Sequence, residues 1–430
     1  MCPLVALYQT GPTLPTQGLG ATRDWHHGLL ARIASRAAAA TFGGWTDSVD
    51  TASPPTMTKW ISTATAASVV ACAWLCSATL QAQPPEHFVP SRPETLSWGW
   101  YPVDKPPVLT IESGDTVRID TLSHAGSAQR EHPATLLRDL GVAPEHILPD
   151  VIDFWASRDG RPREGRSGHV ITGPIAITGA RPGDMLEVQI LELTTRAPFG
   201  INNTGSRAGV FGSGYPGSRP DDALRDIETT RHVIHTGMVD GREVALFSDD
   251  IHVPLAPFMG IMAVAPVPVL GQPGVDIPGV QASRPPGDFG GNMDVKELTV
   301  GSTLFLPVLH QEALFYVGDP HSAQGDGEVS GTAIEQSLAG RFRFILHKNT
   351  PIAGPRAENE THYIMMGIDL DLDRALQKAV DAVVAFLVAE KGLTPTKAVS
   401  LASIAVDFHI AEAVDFTQLV TGKIPKSIFR

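Results

Sequence analysis

Cysteine is missing from most of this 430-residue chain, because its three cysteines all lie at or before residue 76. Beyond that point there is no disulfide framework to hold a fold together. There is also no thiol to serve as a nucleophile. The absence excludes the cysteine-dependent hydrolases of the nitrilase and papain types for the long remainder of the chain.

Positive charge is scarce as well. The chain has 33 lysine and arginine residues against 46 aspartate and glutamate residues, which gives a formal net charge of −13. Proteins that bind nucleic acid need a basic surface to displace counterions from phosphates. No basic stretch of this kind is present, so the sequence excludes a general nucleic-acid partner.

Several common catalytic signatures are also lacking. The chain has no G-x-S-x-G elbow, no H-E-x-x-H zinc helix, no P-loop and no G-x-G-x-x-G that opens a helix after a strand. The Gly-Ser-Ser-rich core and upstream lysine of the serine-nucleophile amidases are missing too. Any catalysis therefore has to come from a different set of side chains.

The first 82 residues have the layout of an export signal. Residues 57–59 (Met-Thr-Lys) give a short positive start, residues 60–80 are weakly apolar, and Gln81-Ala82 precedes a polar, proline-rich segment. This is the organisation of a secretory signal peptide. We predict a signal peptide over 57–82, an upstream segment over 1–56 that is untranslated or disordered, and a catalytic domain over 83–430. The mature protein would be periplasmic or secreted.

This leader has two other interpretations. A membrane anchor is disfavoured, because about twenty residues of modest hydrophobicity make a poor transmembrane span. A lipoprotein signal is the second alternative, since Val69-Val70-Ala71-Cys72 fits a loose lipobox, although the apolar run continues past Cys72. The sequence leaves open which of the two export signals is used, and it predicts no membrane association after cleavage.

The export interpretation predicts a defined mature N-terminus. Mass spectrometry of the protein isolated from its native host is expected to find a chain that begins near Gln83. An intact chain that begins at Met1 would contradict the predicted signal peptide.

The middle of the chain has the pattern of a β-rich fold. It contains 41 glycines and 35 prolines, which favour short strands joined by tight turns. Two segments, Val108–Leu122 and Gly173–Leu193, have the pattern of a strand, a turn and a second strand. They share the motif x-G-D-x-(L/V)-x-(V/I), and each predicts a β-hairpin. Further strands are predicted in Ile251–Pro266, Thr299–Val308 and Thr332–Leu346, and a long surface loop in Phe199–Thr230.

The C-terminal part has a different texture. Leu372–Lys391 has the spacing of an amphipathic helix that ends at Gly392. Thr394 is the predicted N-cap of a second helix that runs to about Ile410, within a helical part that covers 372–421. Strands over about 100–347 followed by helices indicate an α+β fold, with a β-rich core of antiparallel hairpins in sandwich-like sheets and a C-terminal helical segment.

One segment, Pro285–Glu335, is dense in polar side chains separated by glycine. Carboxylates together with one or two histidines form a ligand set for a divalent metal such as Zn²⁺, Mn²⁺ or Ca²⁺. A single Gly-Asp pair is typical of an ordinary turn, but a turn needs one aspartate and this segment has many more polar groups. They are Asp288, Asn292, Asp294, Glu297, Asp319, His321, Gln324, Asp326, Glu328 and Glu335.

This segment closely resembles the acetamidase/formamidase family, and the likeness extends over roughly residues 90–430. Members of that family hydrolyse short aliphatic amides to a carboxylate and ammonia, and some bind divalent metals. One departure is His124, where family members more often have a small residue. The resemblance rests on Gly290-Gly291-Asn292-Met293-Asp294, Lys296-Glu297-Leu298, Gly318-Asp319-x-His321-x-x-Gln324-Gly325-Asp326-Gly327-Glu328, Val170–Ile175, Pro182-Gly183-Asp184, Pro257–Pro266 and Ile424-Pro425-Lys426-x-Ile428-Phe429.

The resemblance implies a metal-dependent amidase, and the lack of a cysteine or serine nucleophile agrees with it. A bound divalent ion, with zinc as the first expectation and calcium or manganese as alternatives, would activate water. Glu328 is the expected general base. The remaining expected site residues are Asp120, His169, Asp294 and His321 as metal ligands, with Asp326, Asn292 and Gln324 in the catalytic site and Asn292 or Gln324 binding the amide.

Two alternative functions remain open on the same scaffold. One is an exported protein that binds small amides without turnover, against which the complete set of acids and His321 argues. The other is a hydrolase of a larger or cyclic amide, for which the 199–230 loop would shape the pocket. A small amide is the expected partner in each case, and the protein is expected to form a homo-oligomer, a dimer.

Overall fold

A computed structural model describes residues 86–163, 167–212, 215, 217–218 and 226–430. The predicted upstream segment over 1–56 and the predicted signal peptide over 57–82 lie outside these residues. The described helices are α1 (Pro133–Asp139), α2 (Pro149–Ala156), α3 (Leu372–Lys391) and α4 (Pro395–Ala405). The described strands are β1 (Glu86–Val89), β2 (Leu96–Trp98), β3 (Trp100–Tyr101), β4 (Leu109–Ile111), β5 (Thr116–Asp120), β6 (Val170–Ile177), β7 (Met185–Thr195), β8 (Phe199–Thr204), β9 (Thr230–Val239), β10 (Arg242–Ser248), β11 (Ile251–Pro254), β12 (Phe258–Ala263), β13 (Gln281–Ala282), β14 (Gly290–Asn292), β15 (Thr303–Pro307), β16 (Phe315–His321), β17 (Leu338–His347), β18 (Arg356–Glu358), β19 (His362–Asp369), β20 (Asp407–Asp415) and β21 (Thr417–Pro425).

Two large sheets form the body of the protein. The first has nine strands in the order β1-β5-β17-β7-β15-β18-β19-β21-β20, and the second has six, in the order β14-β12-β16-β6-β2 with β4 beside β6. Most neighbours are antiparallel, but β1 runs parallel to β5 and β4 runs parallel to β6. A four-stranded sheet, β11-β10-β9-β8, and the β13-β3 pair complete the described strands.

The two large sheets share one apolar core. Alternate residues of β5, β7, β15 and β17 from the first sheet are buried together with residues of β6, β12 and β16 from the second. Phe315 on β16 meets Phe344 on β17 edge to face, with the ring centroids 5.0 Å apart. Side chains from two facing sheets that fill one core make a β-sandwich. The predicted α+β class with a β-rich, sandwich-like core is therefore confirmed.

The two predicted hairpins are instead corners between the sheets. The first segment forms β4 and β5, but β4 pairs with β6 and β5 pairs with β17. The second forms β6 and β7, which also lie in different sheets. The turns are alike in detail, because Asp115 accepts a hydrogen bond from the backbone N–H of Glu112 and Asp184 accepts one from that of Arg181, each 2.9 Å long. The repeated Gly-Asp motif therefore marks two similar turns, and at each of them the chain passes from one large sheet to the other.

The C-terminal helices cover less of the chain than predicted. Helix α3 is found as expected and ends at Gly392, whose φ of 65° is the left-handed conformation that glycine adopts without strain. Thr394 caps α4 through a hydrogen bond to the N–H of Lys397. The prediction of helix over 406–421 is wrong, because β20 and β21 pair there along nearly their whole length. No helix among the described residues is long and apolar enough to span a membrane.

The predicted loop over Phe199–Thr230 is also corrected in part. Its first residues form β8, which pairs with β9 from Phe199 through Thr204. Its first three residues, Phe199 to Ile201, are buried, and Ile201 forms a bridge with Glu335, which in turn forms a bridge with His321 at the end of β16. This part of the segment therefore belongs to the sheet framework.

A close approach between α3 and β19 supplies a test of the fold. A methyl group on Gly367 of β19 would overlap the backbone of Ala375 and Ala379 on α3. Backbone cannot move aside as a flexible side chain can, so Gly367→Ala is expected to lower the free energy of unfolding by about 1–3 kcal/mol. Urea denaturation measures the effect. Gly354→Ala is the matched control, since a methyl group there meets nothing within 4 Å.

Candidate metal and amide-binding site

His321, at the end of β16, lies at the centre of a buried polar cluster. Its side chain has no exposed surface. The ring Nε2 lies 3.4 Å from Asp319 Oδ2 and 3.2 Å from Glu335 Oε1, and Nδ1 lies 3.6 Å from Asp294 Oδ1. Neither ring nitrogen makes a hydrogen bond of good geometry. The imidazole ring of His321 is thus surrounded by three carboxylates, yet its two nitrogens remain without hydrogen-bond partners.

Two more histidines approach the cluster through Asp319. The Nδ1 atom of His124 lies 3.1 Å from Asp319 Oδ1 and 3.3 Å from Glu335 Oε2. The Nε2 atom of His169 lies 3.8 Å from Asp319 Oδ2, while its Nδ1 lies 3.3 Å from the hydroxyl of Ser283. The carboxylate of Asp319 is therefore shared among three imidazole rings.

Three adjacent strands bring these groups together. On β12, Ile261 is opposite Asn292 of β14, and Phe258 is opposite His321 of β16. The turn after β14 then carries Asp294 into the cluster. Asp294, Asp319 and Glu328 all have positive φ, at 48°, 48° and 44°. Such backbone is uncommon outside glycine and is concentrated at functional sites.

On the far side of the cluster, Asn292 joins β14 to the C-terminal strand β20. Its Nδ2 donates to Asp294 Oδ2 at 2.9 Å and to Asp415 Oδ2 at 2.6 Å. Its Oδ1 is buried and has no hydrogen-bond partner. Asp415 also accepts a hydrogen bond from Arg284 Nε at 3.0 Å. An amide oxygen with no partner is thus held at the edge of the cluster.

Burial and mutual charge shift the acidity of these groups. Burial, followed by the charge of Asp415, raises the pKa of Glu328 well above its usual range. Burial and then Glu328 do the same to the pKa of Asp294. Burial opposes ionisation of Asp319, yet His169 and His321 hold its pKa well below the usual range. Among these three carboxylates, the surroundings therefore favour ionisation of Asp319 and oppose ionisation of Asp294 and Glu328.

The histidines are shifted in opposite directions. Burial disfavours protonated His124, but Glu335 and Asp319 outweigh it and raise its pKa to about 9. Burial likewise disfavours protonated His321, and Glu335 and Asp319 raise its pKa well above the usual range. Burial dominates at His169 and lowers its pKa. Two of the three rings are thus in surroundings that favour positive charge.

The cluster has the donors that a divalent cation needs. Five carboxylates are buried within it, those of Asp294, Asp319, Glu328, Glu335 and Asp415, and among the described residues Arg284 and the histidines face them. Buried carboxylates in such excess are costly unless a cation compensates them. Ligand atoms lie within 4.8 Å of one another in three overlapping groups, namely His124-His169-Asp319, Asp294-His321-Glu328 and Asp319-His321-Glu335. The unpartnered ring nitrogens of His321 and the unpartnered Oδ1 of Asp294 fit the same interpretation.

A cavity of about 150 Å³ opens beside this cluster. Among its lining residues are His124, His169, Asn292 and Glu328, and Arg284 completes one wall. The cavity is of a size for a small polar molecule, which would lie against both the histidines and Glu328.

Five of the eight predicted site residues meet in this place. His169, Asn292, Asp294, His321 and Glu328 all belong to the cluster or line its cavity. Their individual roles stay predictions.

The other three predicted residues are elsewhere. Asp120 lies outside the three ligand groups, and Arg118 and Arg196 flank its carboxylate at 3.6 and 3.8 Å. Asp326 is half-buried and pairs with Lys296 at 2.9 Å and with His409 at 3.2 Å. Gln324 donates its Nε2 to the backbone oxygen of Asp294 at 2.8 Å. Gln324 thus supports the Asp294 turn, and the structure assigns Asp120 and Asp326 to ion pairs away from the cavity.

Four cluster residues were not predicted to act in the site. Asp319 and Glu335 lie inside the polar segment Pro285–Glu335, and His124 is a departure from the family pattern. Asp415 lies in a segment predicted to be part of the helical C-terminus. No local sequence pattern singles out Asp415; in the fold, Oε2 of the buried Glu412 accepts the N–H groups of Val414 and Asp415.

This chain is similar in sequence to known amidases. The chain is 26% identical over 266 residues to a formamidase of Methylophilus methylotrophus, covering 54% of this chain and 58% of that protein. It is 28% identical over 271 residues to an acetamidase of Mycolicibacterium smegmatis, covering 54% of this chain and 60% of that protein. The chain thus spans about three fifths of the length of these relatives.

Solved structures agree with the sequence comparison. An acetamidase from Yersinia enterocolitica superimposes with a TM-score of 0.63 at 26% identity, over 81% of this chain and 94% of that one. An acetamidase from Bacillus halodurans gives a TM-score of 0.60 at 22% identity, over 80% and 98%, and so supports the fold alone. The pattern described as the Acetamidase/Formamidase family matches residues 156–273 and 279–430. On that match, the chain belongs to the acetamidase/formamidase family.

Proposed function

We propose that this protein hydrolyses small linear amides of the formamide and acetamide type to a carboxylate and ammonia, with a divalent metal held in the cluster around His321. The observation that carries the proposal is the convergence of three His/Asp/Glu groups, with unpartnered donor atoms, on a small cavity. Family membership and relatives named formamidase and acetamidase support the choice of reaction.

The metal would be held by His321 with the carboxylates that surround it. Asp294, Asp319 and Glu335 have oxygens within 3.6 Å of its ring nitrogens. A donor set of imidazole and carboxylate suits zinc, and with more oxygen ligands it suits manganese or calcium. We propose zinc as the first candidate. When bound, the ion supplies acidity to water and polarises a carbonyl oxygen.

Glu328 is the residue that moves the proton in this proposal. It lines the cavity, and burial and Asp415 raise the pKa of its carboxylate. A carboxylate with a raised pKa accepts a proton from attacking water more readily than an ordinary one does. The same oxygen then returns the proton to the amide nitrogen, which has to leave as ammonia.

Asn292 is the residue that orients the amide. Both hydrogens of its Nδ2 are engaged by carboxylates, which leaves Oδ1 as a buried acceptor beside the cavity. The NH₂ group of a primary amide offers two donors, and one of them would satisfy this oxygen. A secondary or tertiary amide offers fewer donors, so the arrangement favours primary amides.

Export through the predicted leader and assembly as a homodimer remain proposals beside this one. Cysteine is absent from residues 77–430, so nothing in that part of the chain hinders passage into an oxidising compartment. Cell fractionation and light scattering of the purified protein test the two points separately.

The proposed reaction is tested by incubating the purified chain with formamide, acetamide and propionamide while ammonia is measured. Release of ammonia from at least one of them is expected. If an amide binds to the protein and no ammonia appears, the protein is a binding protein and the proposed hydrolysis is wrong. If only cyclic or larger amides are opened, the scaffold hydrolyses amides but the proposed substrate class has to change.

A further inference from the structure

The chemistry of the cavity wall is unusual for a site that takes alkyl amides. Every described residue that lines the cavity is charged, polar or glycine, and none has an aliphatic side chain. Small-molecule pockets are mostly lined by hydrophobic and aromatic groups. An alkyl group on the substrate would therefore find no apolar side chain to contact among these residues when it is transferred from water into the cavity. The wall favours an acyl group that is a hydrogen or that is itself polar.

Arg284 is the permanently cationic residue in this described lining. Its Nε donates to Asp415 Oδ1 at 3.0 Å, and its Nη2 donates to the backbone oxygen of Val414 at 2.8 Å. The guanidinium carbon lies 4.6 Å from the centre of the Phe416 ring. These three contacts hold the guanidinium group in one position before any ligand arrives.

The guanidinium group keeps binding capacity after those contacts. Arginine has five N–H groups, and two of those of Arg284 are engaged by described residues. Planar guanidinium donors match the geometry of a carboxylate and bind it more strongly than neutral donors do. Elsewhere in the lining, a carboxylate would face the acids Asp319, Glu328 and Glu335.

We infer that Arg284 makes one wall of the cavity a carboxylate-binding subsite. This inference rests on the proposed amide hydrolysis and names its substrate class more narrowly. The carboxylate has two possible sources. It is carried by the substrate, as in oxamate and other short amides with a carboxylate on the acyl side, or it is the product carboxylate that the reaction leaves behind.

The test compares the wild-type protein, as purified with its metal, with Arg284→Met, which keeps the aliphatic stem and removes the charge. Binding of acetate and of oxamate is measured by calorimetry. The variant is expected to bind at least one of them about tenfold more weakly or worse, the change that follows from losing one charge-assisted hydrogen bond. Arg341→Met is the matched control, because Arg341 is a surface residue that pairs with Glu86 away from the cavity.

Arg284→Lys is a second variant, which tests the inference if Arg284→Met fails to fold. Asp415 would lose its cationic partner in Arg284→Met, whereas lysine keeps the charge without the planar fork. Thermal unfolding identifies any variant that has lost its structure. A folded Arg284→Lys is expected to bind oxamate more weakly than the wild type does.

Turnover separates the two sources of the carboxylate. If the substrate carries it, Arg284→Met lowers kcat/KM for oxamate much more than for formamide. If the product carries it, both amides are affected alike and acetate inhibits the wild type more strongly than it inhibits the variant. Unchanged acetate and oxamate affinity in folded variants, or no binding of either by the wild type, overturns the inference. A wild type that binds them but hydrolyses no amide contradicts the proposed function and leaves the subsite standing.

Discussion

Glu328→Gln is expected to lower the rate of ammonia release by about 10²–10⁴-fold, the usual contribution of a general acid–base group, while the protein keeps its metal. Glutamine has nearly the shape of glutamate but cannot take up the proton of water. His321→Ala is expected to lose metal and activity together. Its ring is completely buried and belongs to two of the three ligand groups, so the substitution removes the imidazole donor from both.

Metal analysis by emission spectrometry, paired with ammonia release, distinguishes the two roles. Glu358→Gln and His347→Ala are matched controls, since each removes one member of a surface ion pair. Circular dichroism checks that His321→Ala is folded. If Glu328→Gln loses the metal and His321→Ala retains it, the two assignments have to be exchanged. If both keep metal and rate, this cluster is not the active site.

The second large effect is expected from Gly260→Ala, on β12. A methyl group at Gly260 would overlap Asp294 Oδ1 and would lie 3.0 Å from both the backbone oxygen of Asp319 and the ring of His321. The backbone oxygen of Gly260 also accepts the N–H groups of Met293 and Asp294. Displaced supporting groups typically reduce metal affinity or activity by about 10–100-fold. We expect a loss of that size, measured by titrating the metal-free protein with zinc.

A strand glycine outside the site provides the comparison. In Gly237→Ala, on β9, the new methyl group would make an ordinary contact with Leu246 at 3.7 Å. Wild-type zinc affinity is expected there. Zinc affinity in Gly260→Ala equal to that of Gly237→Ala would mean that the cluster tolerates displacement of Asp294, contrary to its proposed role.

Strand positions in the fold were more predictable than strand partners. Period-two alternation located β5 and β7 well, because it records which face of a strand is buried. It does not record which sheet the next strand joins. The pattern around Asp115 therefore predicts the tip of a hairpin, whereas the neighbouring strands β4 and β5 pair with β6 and β17. The choice of partner depends on residues more than fifty positions away.

The C-terminal strands show tertiary contacts overriding local preference. Ala411–Val414 (AEAV) contains good helix formers and extends a helical pattern, so the sequence alone predicts helix beyond Ala405. In the fold, β21 pairs with β19 along eight residues and with β20 on its other side. Strand propensity depends on such neighbours, and they are not visible in a local window.

The site residues that lie close together in the sequence were predictable, and Asp415, which comes from a distant segment, was not. Asn292, Asp294, His321 and Glu328 lie in one polar segment, and three adjacent strands with their turns gather them. Asp326 has the same chemistry two residues from Glu328, but Lys296 and His409 pair with it outside the cavity. The path of the backbone through this turn places Glu328 at the cavity and Asp326 outside it. Asp415 enters from β20, more than a hundred residues away from Asn292, and no local pattern marks it.

The central claim, that a metal held around His321 supports amide hydrolysis, is tested most directly by removing and restoring the metal. The purified protein is stripped with a chelator, its metal content is measured by emission spectrometry, and zinc, manganese or calcium is then added back one at a time. Ammonia release from formamide or acetamide is expected to fall in proportion to metal content and to return with at least one of the three ions. A fully stripped protein that releases ammonia at the original rate would contradict the account.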